Sequence, residues 1–127
     1  MPKRLLHKTA SLLFCATVLP ASGVLADDAL RSYVASPDVY RVIAENEKTK
    51  VILVTWKAGQ RDNWHSHPAT GVYFLTNCES RIYTPDGKFT DAHQKEGGAV
   101  VQAPIPSHSF ENRGSSECRM IIVEQER

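Results

Sequence analysis

Two histidines one residue apart, His65 and His67, are the side chains of this sequence that most directly suggest chemistry. Neutral imidazole is a common ligand of divalent transition metals. In an extended strand, residues i and i+2 project from one face about 7 Å apart, so both rings would enter the same space. The spacing alone does not exclude that the two are merely surface histidines, because a metal site also needs a ligand from elsewhere in the chain.

Two further histidines are candidates for that third ligand. His93 lies in the polar run TDAHQKEGG and is expected to face solvent. His108 follows APIP, where the prolines stiffen the approach to a strand. We therefore expect His108 rather than His93 to join the pair.

Short apolar segments separated by polar turns must position these histidines. VYRVIAE, KVILVTW and CRMIIVEQE are typical of strands, and DGK is a tight-turn signal. About eight strands of four to eight residues, with a turn every eight to twelve, predict an antiparallel sandwich or barrel. No convincing helical period follows Leu30. The predicted fold class is all-β.

The N-terminal segment has the composition of a secretory signal peptide. A basic head precedes an apolar run, and small residues precede a predicted cleavage site after Ala26. The apolar run is short for a bilayer and contains Pro20, so we expect a secreted or periplasmic protein with no membrane association after cleavage. The predicted organisation is a signal peptide at 1–26, a loosely held arm at 27–38 and one domain at 39–127.

Composition and charge exclude some classes of partner. A chain with 42% hydrophobic and 23% charged residues is typical of a globular protein rather than a disordered one. Removal of the signal peptide leaves 12 basic and 14 acidic residues, a formal charge of −2. That balance gives no excess of positive charge with which to bind nucleic acid or anionic lipid. We therefore expect the partner to be a small-molecule ligand or substrate.

Two short motifs surround the histidines. The first is a glycine, five residues and His-x-His; the second is a glycine, five residues, a proline, then a histidine and, after three residues, an asparagine. In this order and about forty residues apart, they resemble the two motifs of the cupin family. The resemblance covers about 39–125 and implies a cupin-type antiparallel β-barrel, the double-stranded jelly roll. The matching residues are Gly59, His65, His67, Gly98, Pro104, His108 and Asn112.

The departures from the family pattern concern the ligands. The glutamate of the first cupin motif should fall at Gly71 or Val72, and neither can bind a metal. In the second motif Pro106 replaces a glycine and one residue is missing before the histidine. The resemblance therefore implies three ligands, His65, His67 and His108, and no fourth.

Three neutral imidazoles leave a divalent ion with open positions, and Fe2+, Zn2+, Mn2+, Ni2+ and Cu2+ are all chemically admissible. The resemblance to three-histidine cupin dioxygenases implies an oxygen-dependent oxidoreductase acting on a small molecule. Zinc would instead activate a bound water for hydrolysis. The alternative is a non-catalytic barrel that binds a small polar ligand. A homodimer formed through strand edges is compatible with either function.

Other residues near the motifs are weaker candidates. Tyr73 is considered as a hydrogen-bond or proton donor, and Gln102 as an amide that orients a ligand or bound water. Core packing and an outward strand position are the respective alternatives. Trp64 is expected to shield the site or to pack at the barrel mouth. Asn112 is expected to fix a turn, and Glu111 to face away from the site.

The cysteines form one possible pair. Cys15 leaves with the signal peptide, so Cys78 and Cys118 remain in an oxidising compartment. The cupin resemblance places the strand that ends near Thr76 beside the start of the final strand near Arg119, and thereby implies a Cys78–Cys118 disulfide. Two buried free thiols are the alternative.

Overall fold

A computed structural model describes residues 31–126, which form antiparallel strands and one short helix. The all-β prediction is confirmed, with nine strands where the sequence indicated about eight. The helix of four residues is too short to show a helical period in the sequence. The predicted signal peptide lies outside the described residues. The elements are α1 (Ser32–Ala35), β1 (Tyr40–Glu45), β2 (Thr49–Trp56), β3 (His65–His67), β4 (Thr70–Phe74), β5 (Cys78–Tyr83), β6 (Phe89–Gln94), β7 (Ala99–Gln102), β8 (Ile105–Asn112) and β9 (Cys118–Gln125).

The strands form two antiparallel sheets, as the cupin resemblance implied. The five-stranded sheet has the order β1-β2-β9-β4-β7, and the four-stranded sheet has the order β3-β8-β5-β6. Strand β9 shows how the sequence directs one face inward, because its alternate residues Cys118, Met120, Ile122 and Glu124 are all buried. The last of these is a carboxylate, so the interior becomes polar at that end of the strand.

The apolar part of the interior contains the largest buried side chains. Trp56 stacks on Phe110 with ring centroids 4.1 Å apart, and Ile52 and Val54 are fully buried beside it in β2. Truncating such an aromatic side chain to alanine typically costs about 3–5 kcal/mol of stability. This core gives the scaffold the rigidity on which the polar part of the interior depends.

The predicted disulfide is present and joins the two sheets. Cys78 is the first residue of β5 and Cys118 is the first residue of β9. Their sulfur atoms are 2.04 Å apart, across a sequence separation of 40 residues. The alternative of two free thiols is therefore not observed.

The described part of the expected N-terminal arm is packed rather than loose. Ser32 and Ser36 are buried, and Arg31 forms a parallel β-bridge with Ser66. The side chain of Asn63 donates to the carbonyl of Ala35 at 2.7 Å, and its backbone amide donates to Ser36 Oγ at 2.9 Å. The segment thus lies along the edge of β3, the strand that carries the histidine pair. No helix within residues 31–126 has the length and apolarity needed to cross a membrane.

Candidate metal centre

The three predicted histidines converge from two adjacent strands. His65 in β3 lies directly opposite His108 in β8, and His67 follows two residues later with a register irregularity between the two. One potential ligand atom from each ring lies within 4.8 Å of the others. The Nε2 atoms of His65 and His67 are 3.0 Å apart. The prediction that these three rings share one space is confirmed.

Hydrogen bonds at the far side of two rings fix their tautomers. His65 Nδ1 donates to the backbone carbonyl of Asn63 at 2.7 Å, and a carbonyl oxygen can only accept. His67 Nδ1 donates to Glu124 Oε1 at 2.6 Å. In the neutral form of each ring, with its hydrogen on Nδ1, both Nε2 atoms present lone pairs to the cluster.

These nitrogen atoms fit a cation. Two lone pairs facing each other at 3.0 Å repel unless a positive charge lies between them. The third ring contributes His108 Nε2, which is buried and has no hydrogen-bond partner. An unpartnered buried nitrogen requires an explanation, and a metal bond provides one. The donor set, three neutral imidazoles, suits a divalent transition metal.

Burial keeps two of the rings, His67 and His108, in the neutral form that a metal requires. Desolvation, reinforced by His65 and Arg31, lowers the pKa of His67 to about 3. Desolvation, reinforced by the other two histidines, lowers the pKa of His108 to about 3. Both rings are therefore uncharged at neutral pH, and their lone pairs are available for a ligand bond.

A buried carboxylate that the sequence analysis did not consider orients His67. Glu124 is fully buried in β9, and burial raises the pKa of its carboxyl group while Arg31 opposes that effect. Arg31 Nη1 lies 3.6 Å from Glu124 Oε2, so the N-terminal segment contributes to the site. The signal was available in the sequence, since Glu124 occupies an inward position in the alternation of the last strand.

A second buried network, formed by Asp62 and its hydrogen-bond partners, reaches His65 through Tyr40. Asp62 Oδ2 accepts hydrogen bonds from Tyr40 Oη at 2.7 Å and from Trp56 Nε1 at 3.0 Å. Asp62 Oδ1 accepts from the backbone amide of Phe110 at 2.7 Å. The hydroxyl of Tyr40 also lies 3.0 Å from His65 Nε2. Burial, followed by the charge of Asp62, raises the pKa of Tyr40 well above its usual value. Neither residue belongs to a motif, so the sequence analysis missed both.

The suggestion that Tyr73 lies at the site is wrong. Its neighbours Val72 and Phe74 point inward, so the alternation of β4 places Tyr73 on the outer face, where it is 48% exposed. Gln102 is exposed on the edge strand β7, opposite Thr70, and the inward amide considered for it is not observed. Val72 occupies the inward position where a motif glutamate was expected, and it has no group that can bind a metal.

The remaining candidates lie outside the cluster. Trp64 is 39% exposed and covers the guanidinium of Arg61, so it lies at the surface beside β3. His93 is exposed and pairs with Glu79, as expected for a solvent-facing residue. Glu111 accepts a hydrogen bond from Arg113 at 3.0 Å and does not join the histidines.

Asn112 is a turn residue, as expected. Its side-chain amide donates to the carbonyls of Trp56, Lys57 and Ser116 at 3.2, 3.1 and 2.8 Å. Its Oδ1 accepts from the backbone amide of Gly114 at 3.0 Å. The last residue of the second motif therefore holds loops together rather than acting chemically.

Comparisons with known proteins bear on the fold. No family model and no curated protein matches the chain. Solved structures do match, and the likeness, at low identity, concerns the fold. A cupin domain from Bordetella pertussis has 21% identity over 70% of this chain and 93% of its own, with a TM-score of 0.65. A cupin superfamily protein from Desulfitobacterium hafniense has 11% identity over 70% and 77%, with a TM-score of 0.54. An RmlC-like cupin family protein with a double-stranded β-helix fold from Methanocaldococcus jannaschii has 15% identity over 68% and 78%, with a TM-score of 0.54.

Proposed function

Since this chain has the cupin fold, we propose that it is an exported metalloprotein that binds one divalent transition-metal ion through His65, His67 and His108. The observation that carries the proposal is the convergence of three imidazoles, one of which has a buried nitrogen without a partner. The carbonyl of Asn63 and the carboxylate of Glu124 support it by holding two rings with their lone pairs inward.

Metal analysis tests this proposal directly. We expect about one equivalent of metal per chain after purification with iron, zinc or manganese supplied, and loss of that metal in His108→Ala, which removes one of three ligands. His93→Ala is the matched control, because that histidine is exposed and remote from the cluster. Only trace metal in the wild-type protein after anaerobic purification would contradict the proposal.

We extend the proposal to an oxygen-dependent oxidoreductase acting on a small molecule. A bound ferrous ion would supply open coordination positions for oxygen and substrate. The chain supports this by keeping water away, since His65 is fully buried and His67 is 6% exposed. His108 is the most accessible of the three ligands, so a substrate would approach from its side.

The same burial also favours the second candidate, a non-catalytic barrel that binds a small polar ligand. Oxygen uptake by the iron-loaded protein in the presence of small thiols and diketones distinguishes the two candidates. Uptake that is lost in His108→Ala supports the enzyme. A co-purifying small molecule without any uptake supports the binding protein.

Export is part of the proposal. The segment 1–26 has the composition of a signal peptide, and a disulfide such as Cys78–Cys118 persists in oxidising compartments. The mature protein is then secreted or periplasmic and begins at Asp27.

A homodimer formed through strand edges completes the proposal. Among residues 31–126, β7 has β4 as its only strand neighbour, and all four of its residues are exposed. Val101 in this strand is 90% exposed, although edge strands are usually protected by charge or proline. Antiparallel pairing of β7 with the same strand of a second copy is self-complementary about a two-fold axis. Sedimentation equilibrium measures the resulting mass.

A further inference from the structure

We propose that the hydroxyl oxygen of Tyr40 is the fourth ligand of the metal centre, in place of the glutamate that the first motif lacks. This inference rests on the metal-binding function proposed above. It assigns a ligand role to a residue that lies 25 positions before His65 and outside both motifs.

The scaffold holds the Tyr40 hydroxyl at the cluster. Tyr40 opens β1, lies opposite Val54 of β2 and is 2% exposed. Its ring packs edge-on against Trp56 with centroids 5.5 Å apart. Tyr40 Oη lies 3.0 Å from His65 Nε2, the same distance that separates this nitrogen from His67 Nε2. Tyr40 Oη and His67 Nε2 therefore lie at equal distances from His65 Nε2.

The positions of the hydrogens make this contact unfavourable without a cation. His65 carries its hydrogen on Nδ1, toward the carbonyl of Asn63. Tyr40 directs its single hydrogen to Asp62, whose two oxygens accept three hydrogen bonds in total. In the neutral form of His65, lone pairs of Tyr40 Oη and His65 Nε2 therefore face each other. A cation bound to both atoms replaces this repulsion with attraction.

The separation matches that of two ligands on one ion. Zinc–nitrogen and zinc–oxygen bonds are about 2.0–2.1 Å long, and two such ligands at a tetrahedral angle lie about 3.3 Å apart. The observed 3.0 Å is within a few tenths of an ångström of that value. A second observation at the same cluster is that His108, whose ring centroid lies 4.6 Å from that of His65, has a buried Nε2 that also lacks a partner.

The proton released on coordination has a defined acceptor. The O–H bond of Tyr40 breaks, and an O–H bond forms on Asp62 Oδ2 across the existing 2.7 Å hydrogen bond. The oxygen then donates an electron pair to the ion, and no electron is transferred to or from the protein. The hydrogen bonds from Trp56 and Phe110 hold the Asp62 carboxyl group in position to receive the proton.

Cu2+ alone is the probe, since it binds nitrogen and oxygen sites tightly and a coordinated phenolate gives it a charge-transfer absorption in the visible range. We expect one Cu2+ per chain with this band and with resonance-enhanced vibrations of a tyrosine ring. Tyr40→Phe keeps the buried ring, so it is expected to retain the three histidine ligands and lose the band. Its Cu2+ affinity should fall at least about 10-fold, the lower end of the loss found when the surroundings of a ligand are changed. Tyr73→Phe, on the outer face, is the matched control and should match the wild type.

A converse variant covers the case in which Tyr40→Phe does not fold. The chain has four tyrosines, and replacing Tyr33, Tyr73 and Tyr83 by phenylalanine leaves Tyr40 alone. The band should persist in that protein. One bound Cu2+ without the band in the wild type would overturn the ligand role while the metal-binding function stands. A band that survives in Tyr40→Phe, or that is lost in the converse variant, would also overturn it. Failure of the wild type to bind Cu2+ would overturn both proposals.

Discussion

Glu124 shows what a single residue contributes to the histidine cluster without being one of its three histidines. Its carboxylate accepts the Nδ1 hydrogen of His67 at 2.6 Å, which orients the ring and makes its other nitrogen a better donor. Glu124→Gln keeps the size of the side chain and removes its charge. We expect the Zn2+ affinity of that variant to fall about 10- to 100-fold, measured by competition with a chromophoric chelator.

Glu126→Gln is the matched control for this prediction. Glu126 also accepts a hydrogen bond from Arg31, at 3.0 Å, but it does not contact His67. We therefore expect the Zn2+ affinity of Glu126→Gln to match that of the wild type. If both variants lost the same amount of Zn2+ affinity, Arg31, rather than the orientation of His67, would determine that affinity.

At the scale of elements, the Cys78–Cys118 bridge connects the first residues of β5 and β9, which belong to different sheets. Closing a loop with a separation of 40 residues restricts the unfolded chain and stabilises the fold by about 3–4 kcal/mol on the chain-entropy model. Reduction should lower the urea midpoint accordingly, and the mass should rise by two hydrogens. An unchanged midpoint in protein shown by mass to be reduced would contradict this estimate.

At the scale of the whole molecule, the buried histidines make stability depend on pH. His67 and His108 have folded-state pKa values of about 3, below the ordinary value of 6.5 for an accessible imidazole ring. Below pH 6.5 the unfolded chain binds protons that the folded chain does not, so stability falls as the pH is lowered from about 6.5 toward 3. Each ring contributes a slope of up to about 1.4 kcal/mol per pH unit.

Urea unfolding of the metal-free protein at several pH values checks this slope. The raised pKa values of Asp62 and Glu124 act in the opposite direction, because the folded state binds their protons more readily, and they offset part of the loss. His108→Gln should reduce the slope. A stability that is the same at pH 7 and at pH 4 in the wild type would refute the prediction.

Several features were predictable because they depend on local patterns. A two-residue period of apolar side chains reports on strand structure wherever one face is buried, so the all-β class followed from segments such as KVILVTW. The spacing of His65, His67 and His108 within two motifs predicted that these three histidines form one cluster, since a motif records which positions a known scaffold brings together. The same resemblance indicated the partner of Cys78.

The sequence by itself thus determined the fold class, the three histidines and the cysteine pair, whereas the tertiary structure decided which other side chains surround the cluster. Tyr40, Asp62 and Glu124 come from β1, a loop and β9, and no local pattern links them to His65 or His67. Whether a strand residue points inward depends on register, and a shift of one position reverses its face. For that reason Tyr73, close to the histidines in sequence, lies on the outer surface, while Tyr40, 25 residues before His65, lies against its ring.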